Sequence, residues 1–134
     1  MQRKTKLQNI VKVFMPDNLR NINLAKPKFD LEIKKSIIRV HSCYAIAETF
    51  ALLKNISACN YNFKFDKDNV LKNGFIISPD ELTDYGWVHI LHVNKADLVE
   101  INNFEYYLTK SIISVDIQMV FKEKATKVIK FYKQ

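Results

Sequence analysis

The chain has 134 residues, a formal net charge of +7, and nine Phe, six Tyr and one Trp within a 48% apolar composition. That much apolar and aromatic material excludes a disordered chain, and the length fits one domain, residues 1–134, with a cooperative core. Two Gly and three Pro disfavour glycine-cradled phosphate sites, and Cys43 and Cys59 are too few for a disulfide framework and lack zinc-site spacing.

The charge is unevenly spread. Residues 1–40 carry ten Lys or Arg against three acids, residues 41–100 five against eight, and residues 101–134 six against three. Positive fields at both ends of a chain raise encounter rates with polyanions or acidic partners. There is no 18-residue apolar run and no long apolar stretch behind the basic start, so neither a membrane span nor a signal peptide is expected. Few cysteines and no leader together predict a cytoplasmic protein without a membrane partner.

Taken in order, Leu7, Ile10, Val11 and Phe14 recur at helical spacing over residues 4–15, which predicts an amphipathic helix with a basic back that ends at Met15-Pro16. Residues 16–29 read as a connection. Asp30 reads as the N-cap of a long core helix over residues 31–55, on the stripe Ile33, Ile37, Val40, Tyr44, Ala47 and Ala51. Cys43 falls within that stripe as a small core residue.

After residue 58 the period changes to two. Asn60 to Asp66 alternates aromatic and polar groups, a half-buried strand, and Phe75 to Ile77 reads as a second one. Ser78-Pro79-Asp80-Glu81 carries a capping residue, a first-turn Pro and a Glu three positions after the cap, predicting about two helical turns up to Gly86. Trp87 to Val93 is apolar on both faces except for two histidines, as in an interior strand. Asn94 is able to cap a turn at Lys95 to Glu100, while Phe104 to Ile113 stays open between strand and helix. Val115 to Phe121 alternates, and Thr126 to Tyr132 returns as the second arm of a C-terminal hairpin. The predicted fold is therefore α+β in two layers: an N-terminal amphipathic helix and a long core helix on a four- to five-stranded, mostly antiparallel sheet.

No Ser-His-Asp order, Walker loop, dinucleotide glycine motif or Cys-x-x-Cys occurs, so nucleotide-dependent and redox enzymes are poor candidates, and neither a metal nor a cofactor is expected. His89 and His92 are three apart in a strand, hence on opposite faces and unable to share a metal. His41, Tyr44 and Glu48 share one side of the expected helix. Glu48, set among apolar neighbours, would resist ionisation and could act with His41 or His89 as a general acid and base, for instance in metal-independent RNA cleavage. The bland reading of Glu48 is a helix-boundary carboxylate.

Two basic sets suit a polyanion: Lys4, Lys12, Lys34, Lys35 and Arg39 at the N-terminal side, and Lys122, Lys127 and Lys130 with Tyr132 in the C-terminal hairpin. Lysines interleaved with rings fit single-stranded nucleic acid, ammonium to phosphate and ring to base; equally, terminal-strand lysines discourage sheet aggregation. The leading expectation is a small basic module that binds RNA, single-stranded DNA or an acidic protein surface. A ribonuclease or toxin-like enzyme using Glu48 is the second, and an interaction domain that forms a homodimer is the third.

Overall fold

In the computed structural model, residues 9–17, 24–53, 75–77, 82–101, 105–124 and 129–131 are described. The strands are β1 (Ile10–Asp17), β2 (Leu24–Ala25), β3 (Lys28–Asp30), β4 (Lys35–His41), β5 (Phe75–Ile77), β6 (Tyr85–Asn94), β7 (Val99–Glu100), β8 (Glu105–Leu108), β9 (Ile112–Ile113), β10 (Asp116–Phe121) and β11 (Ile129–Phe131), and the one α-helix among the described residues is α1 (Tyr44–Ala51). Seven strands form one antiparallel sheet in the order β10-β6-β1-β4-β8-β7, with β3 also paired to β4. The protein is thus mostly β, which corrects the expectation of an α+β fold built on a long core helix.

Both predicted N-terminal helices give way to strands for the same physical reason. Ile10, Val11 and Val13 are β-branched, and Val11, Val13 and Met15 alternate toward one core; Ile37, Ile38 and Val40 in β4 are likewise β-branched and buried. Restricted χ1 angles favour a pleated surface, and a short apolar run satisfies the helical and the extended period at once. Pro16 does not break β1. It is opposite Val88 of β6, while the β1–β4 register consists of Phe14↔His41 alone, so no ladder bond is asked of its missing N–H on the β4 side.

Asp30 does cap, but it caps a turn. Its Oδ1 accepts from the amides of Glu32 and Ile33, each at 3.0 Å, and Lys34 closes the turn at φ 64° with its amide bonded to Asp30 O. The helix then begins only at Tyr44, after the strand. Asn94 accepts from the Ala96 amide and starts a 3-10 turn at Lys95–Asp97, as the sequence suggested. β6 is the inner strand expected, flanked by β1 and β10. The C-terminal return differs from expectation, because β11 pairs in parallel with β5 instead of folding back on β10. Leu82 to Gly86 contains no helix, Leu82 bridging to Leu53 and β6 starting at Tyr85; Ser78 to Glu81, the strand at Asn60 to Asp66, Cys59 and the first half of the N-terminal helix lie outside the described residues.

Two cores follow from strand alternation. On one face α1 packs Ile46, Ala47, Phe50 and Ala51 against Val88, Val120 and Phe14. On the other, Val13, Val40, Ile38, Leu91, Val93 and Leu108 are covered by Ala25 and Ile112, from the β2–β9 ribbon, and by Leu98. The helix end sits directly on β6: a Cβ at Gly86 would overlap the Ala51 carbonyl oxygen, and the Thr83 amide donates to Leu52 O at 2.7 Å.

Candidate binding face

Of the residues proposed for acid-base chemistry, His41 and Glu48 lie on the α1 face of the sheet and His89 on the other. His41 ends β4 instead of lying in a helix, and its ring stacks on Phe50 of α1 at 4.9 Å between centroids. Burial, and secondarily the Arg39 charge, push its pKa down to about 3, so it is neutral at any ordinary pH and is a weak base. Glu48, on α1, is buried on the same face. Tyr44, one turn earlier, donates to Gln118 Oε1 at 2.9 Å, and its pKa is raised by burial and by the nearby Glu48 and Asp116 charges.

His89 projects to the opposite face, since α1 packs on its neighbour Val88 and alternate strand residues face apart. There its Nδ1 is 2.7 Å from Ser114 Oγ and its Nε2 is 4.0 Å from Asp17 Oδ2. Ser, His and Asp in line invite comparison with a hydrolase triad, but all three are buried, and a nucleophile has to meet substrate. The string instead pins the segment before β10 and the end of β1 to β6. His92 is exposed across from Lys12, so the two strand histidines do face apart. Among the described residues no group of three or more His, Cys, Asp or Glu is arranged to hold a metal, and no helix is long and apolar enough to cross a membrane.

The proposed basic residues divide by what already holds them. Arg39 bonds Asp30 through Nε (2.6 Å), Glu105 through Nη1 (3.0 Å) and Glu32 through Nη2. Burial alone would weaken this cation, yet three carboxylates raise its pKa well above the usual arginine value. Burial pushes the Asp30 carboxyl up, but Arg39 and the two turn amides outweigh that and hold it below its usual range. Lys12, Lys34 and Lys35 are exposed, with the Lys35 ammonium 5.3 Å from the centre of the Tyr107 ring. Lys122 faces Asp84 at 3.8 Å, an open pair of the sort that contributes little. Lys130 is opposite Ile76 in the β11–β5 register; Lys4, Lys127 and Tyr132 lie outside the described residues.

Strand register groups these cations. Phe14 faces both His41 and Ile90, and Ile90 faces Asp116. Six residues from that row in the same direction lie Lys35 on β4, Asp84 before β6 and Lys122 after β10, so Lys34, Lys35 and Lys122 share one end of the sheet. Lys12 lies toward the other end, eight β6 positions from Lys122, or about 26 Å at strand rise.

At the Lys122 end lies a patch of which sequence reasoning placed only Trp87 in an interior strand. Met119 is opposite Trp87 and Phe121 opposite Tyr85, so all four side chains project from one face. Tyr85, Met119 and Phe121 are 49%, 48% and 41% exposed, and the Tyr85 and Trp87 rings meet edge to face at 5.2 Å. The signal was present as alternation in β10 (Ile117, Met119, Phe121), but alternation does not say whether the apolar row is covered. The Arg39 quartet and the Ser114–His89–Asp17 string had no local signal, since their members come from distant strands. Comparison of the chain with protein-family models, with curated proteins and with solved structures gives no match.

Proposed function

We propose that this protein is a small basic binding module for single-stranded nucleic acid, with Tyr85, Trp87, Met119 and Phe121 as the surface on which bases stack. The carrying observation is that these four side chains lie on one face of two adjacent strands and that three of them are exposed to roughly half their area. Every base has a π-face, so such a platform binds without needing sequence, and each stacked base contributes about 1–3 kcal/mol. Lys122 adjoins Phe121 in sequence, and Lys124, Lys127, Lys130 and Lys133 follow it, a supply of ammonium groups for phosphates. Lys34 and Lys35 at the same end of the sheet extend that supply.

The charge distribution supports the same reading. Residues 1–40 carry ten Lys or Arg against three acids and residues 101–134 six against three, so the positive charge sits toward the two ends of the chain. An apolar platform with lysines following it in the chain divides the work between stacking and phosphate neutralisation. The acid-base alternative has less in its favour, because His41 is neutral and His89 is on the far face.

Trp87 is the single tryptophan, so its fluorescence reports on the platform directly. Titration with oligo-dT or oligo-U is expected to quench it, with an affinity that falls steeply from low to moderate salt as counterions are released. Tyr85→Ala and Phe121→Ala should each weaken binding by about 1–3 kcal/mol without changing the melting temperature appreciably. Absence of quenching, or an affinity indifferent to salt, would remove this reading; salt-sensitive binding of an acidic protein without quenching would favour the acidic-partner version.

A further inference from the structure

We infer that β10 is a homodimer edge, at which two copies of this chain join their sheets antiparallel about a two-fold axis through Met119. β10 ends the seven-stranded sheet. Four of its six residues are exposed, and Val115 just before it is 55% exposed in addition to Met119 and Phe121. Edge strands are ordinarily blunted by lysines, a proline or a bulge, because their open amides and carbonyls invite another strand. From Val115 to Phe121 the only charge is Asp116, with Lys122 immediately past the other end. Among the described residues no strand pairs with the outer side of this edge, and its residues are mostly apolar.

The arrangement is self-complementary. In an antiparallel pair, opposed residues share a face, so a two-fold axis normal to the sheet must pass through a residue position, either 118 or 119 near the middle of the strand. Centring on Met119 sets Ile117 opposite the partner's Phe121, Gln118 opposite the partner's Val120, and Asp116 opposite the partner's Lys122. Two opposite-charge pairs then bracket an apolar centre. Centring on Gln118 would set Asp116 against Val120 and leave both charges without mates. Backbone alternation agrees: the Lys122 amide donates inward to Asp84 O, so within β10 the even positions turn toward β6 and Ile117, Met119 and Phe121 turn their amides and carbonyls outward. To do this Lys122 gives up Asp84, whose side chain is 86% exposed, and Asp116 turns from the Ile117 amide (2.9 Å) and Gln118 Nε2 (3.2 Å), which frees the Ile117 amide for the partner strand.

Dimerisation would also run the Tyr85–Trp87 and Phe121–Met119 rows of both copies into one continuous platform on a single face. The inference rests on the free edge and the charge register, not on the nucleic-acid reading. Its test uses protein alone, so either can fail without the other.

The full chain is measured by light scattering and by sedimentation over a wide concentration range, beside Lys122→Asp, Asp116→Lys and the double swap. The wild type should be a dimer. Each single reversal puts like charges opposite each other twice per dimer and should weaken association roughly tenfold or more, while the double swap restores it. Circular dichroism spectra should be alike for all four proteins, since both residues are exposed or half-exposed in the single chain, while the melting temperatures of the wild type and the double swap should rise with protein concentration as those of a dimer do. A wild type that stays monomeric at the highest concentration, a dimer unmoved by the single reversals, or a double variant that is not restored would each overturn the proposal.

Discussion

The two halves of β6 meet the same face of the sheet with opposite outcomes. His89, Leu91 and Val93 are buried on the face that carries the β2–β9 ribbon, whereas on the same face, two to eight residues earlier, Tyr85 is exposed and Trp87 half-buried. Both halves are apolar in sequence. What separates them is which other segments happen to arrive overhead, so the same side-chain chemistry becomes core at one end and a surface for something else at the other. Substitutions in the sealed half should therefore cost stability, and those in the open half should cost association.

The largest expected effect lies with the most buried charges. Arg39→Ala removes the cation shared by Asp30, Glu32 and the buried Glu105 and is expected to destabilise the fold by about 3 kcal/mol, at the low end for broken buried pairs; Glu32→Gln, on an exposed carboxylate of the same cluster, should cost well under that. Urea unfolding of both variants compares them, and similar small losses would mean that Arg39 is more solvated than its geometry indicates. Next comes the joint between the halves. Gly86→Ala forces a methyl group into the Ala51 carbonyl and should cost about 1–3 kcal/mol through overpacking, with reduced hydrogen-exchange protection at Leu52 and Leu53.

The smallest effect per increment is set by pH. His41 has a native pKa of about 3 and should titrate near 6.5 when unfolded. Between these values the unfolded chain holds a proton that the native one refuses, so stability must fall as pH drops from about 6.5, by up to about 1.4 kcal/mol per unit, and level off below about 3. The depressed Asp30 carboxyl adds a loss of the same sign at the acidic end of that window. In His41→Phe, which keeps a ring against Phe50, the slope between pH 6 and pH 4 should flatten; an unchanged slope would assign the acid sensitivity to other groups.

Much of this was legible residue by residue, and the failures share a cause. The capped turn at Asn94 and the alternation of β6 and β10 are displayed by residues within a few positions of one another, whereas Asp30 displays a cap but not that it caps a turn before a strand. The stretch from Leu31 to Ala51 misled because Ile33, Ile37, Val40 and Tyr44 sit at helical spacing while Ile37, Ile38 and Val40 also suit a strand buried on both faces. Pairing with β3 and β8, from residues on either side in the chain, decides between the two. The candidate site was harder still. In the sequence Tyr85 reads as a helix end, Trp87 as part of an interior strand and Met119 and Phe121 as one arm of a hairpin, and only the β6–β10 register puts the four on one partly exposed face.

Gly86 has a consequence beyond packing. With no side chain between strand and helix end, there is one seating for α1 on the sheet, and the segment carrying Tyr85 and Trp87 is clamped at its midpoint by the Ala51 backbone and by Val120 on β10. The two rings are therefore presented from a rigid bearing, and whatever stacks on them loses little further freedom from the protein's side. Preorganisation of this kind raises affinity without adding a contact. On the proposed reading, a glycine on the opposite face from the rings sets how tightly they hold a base.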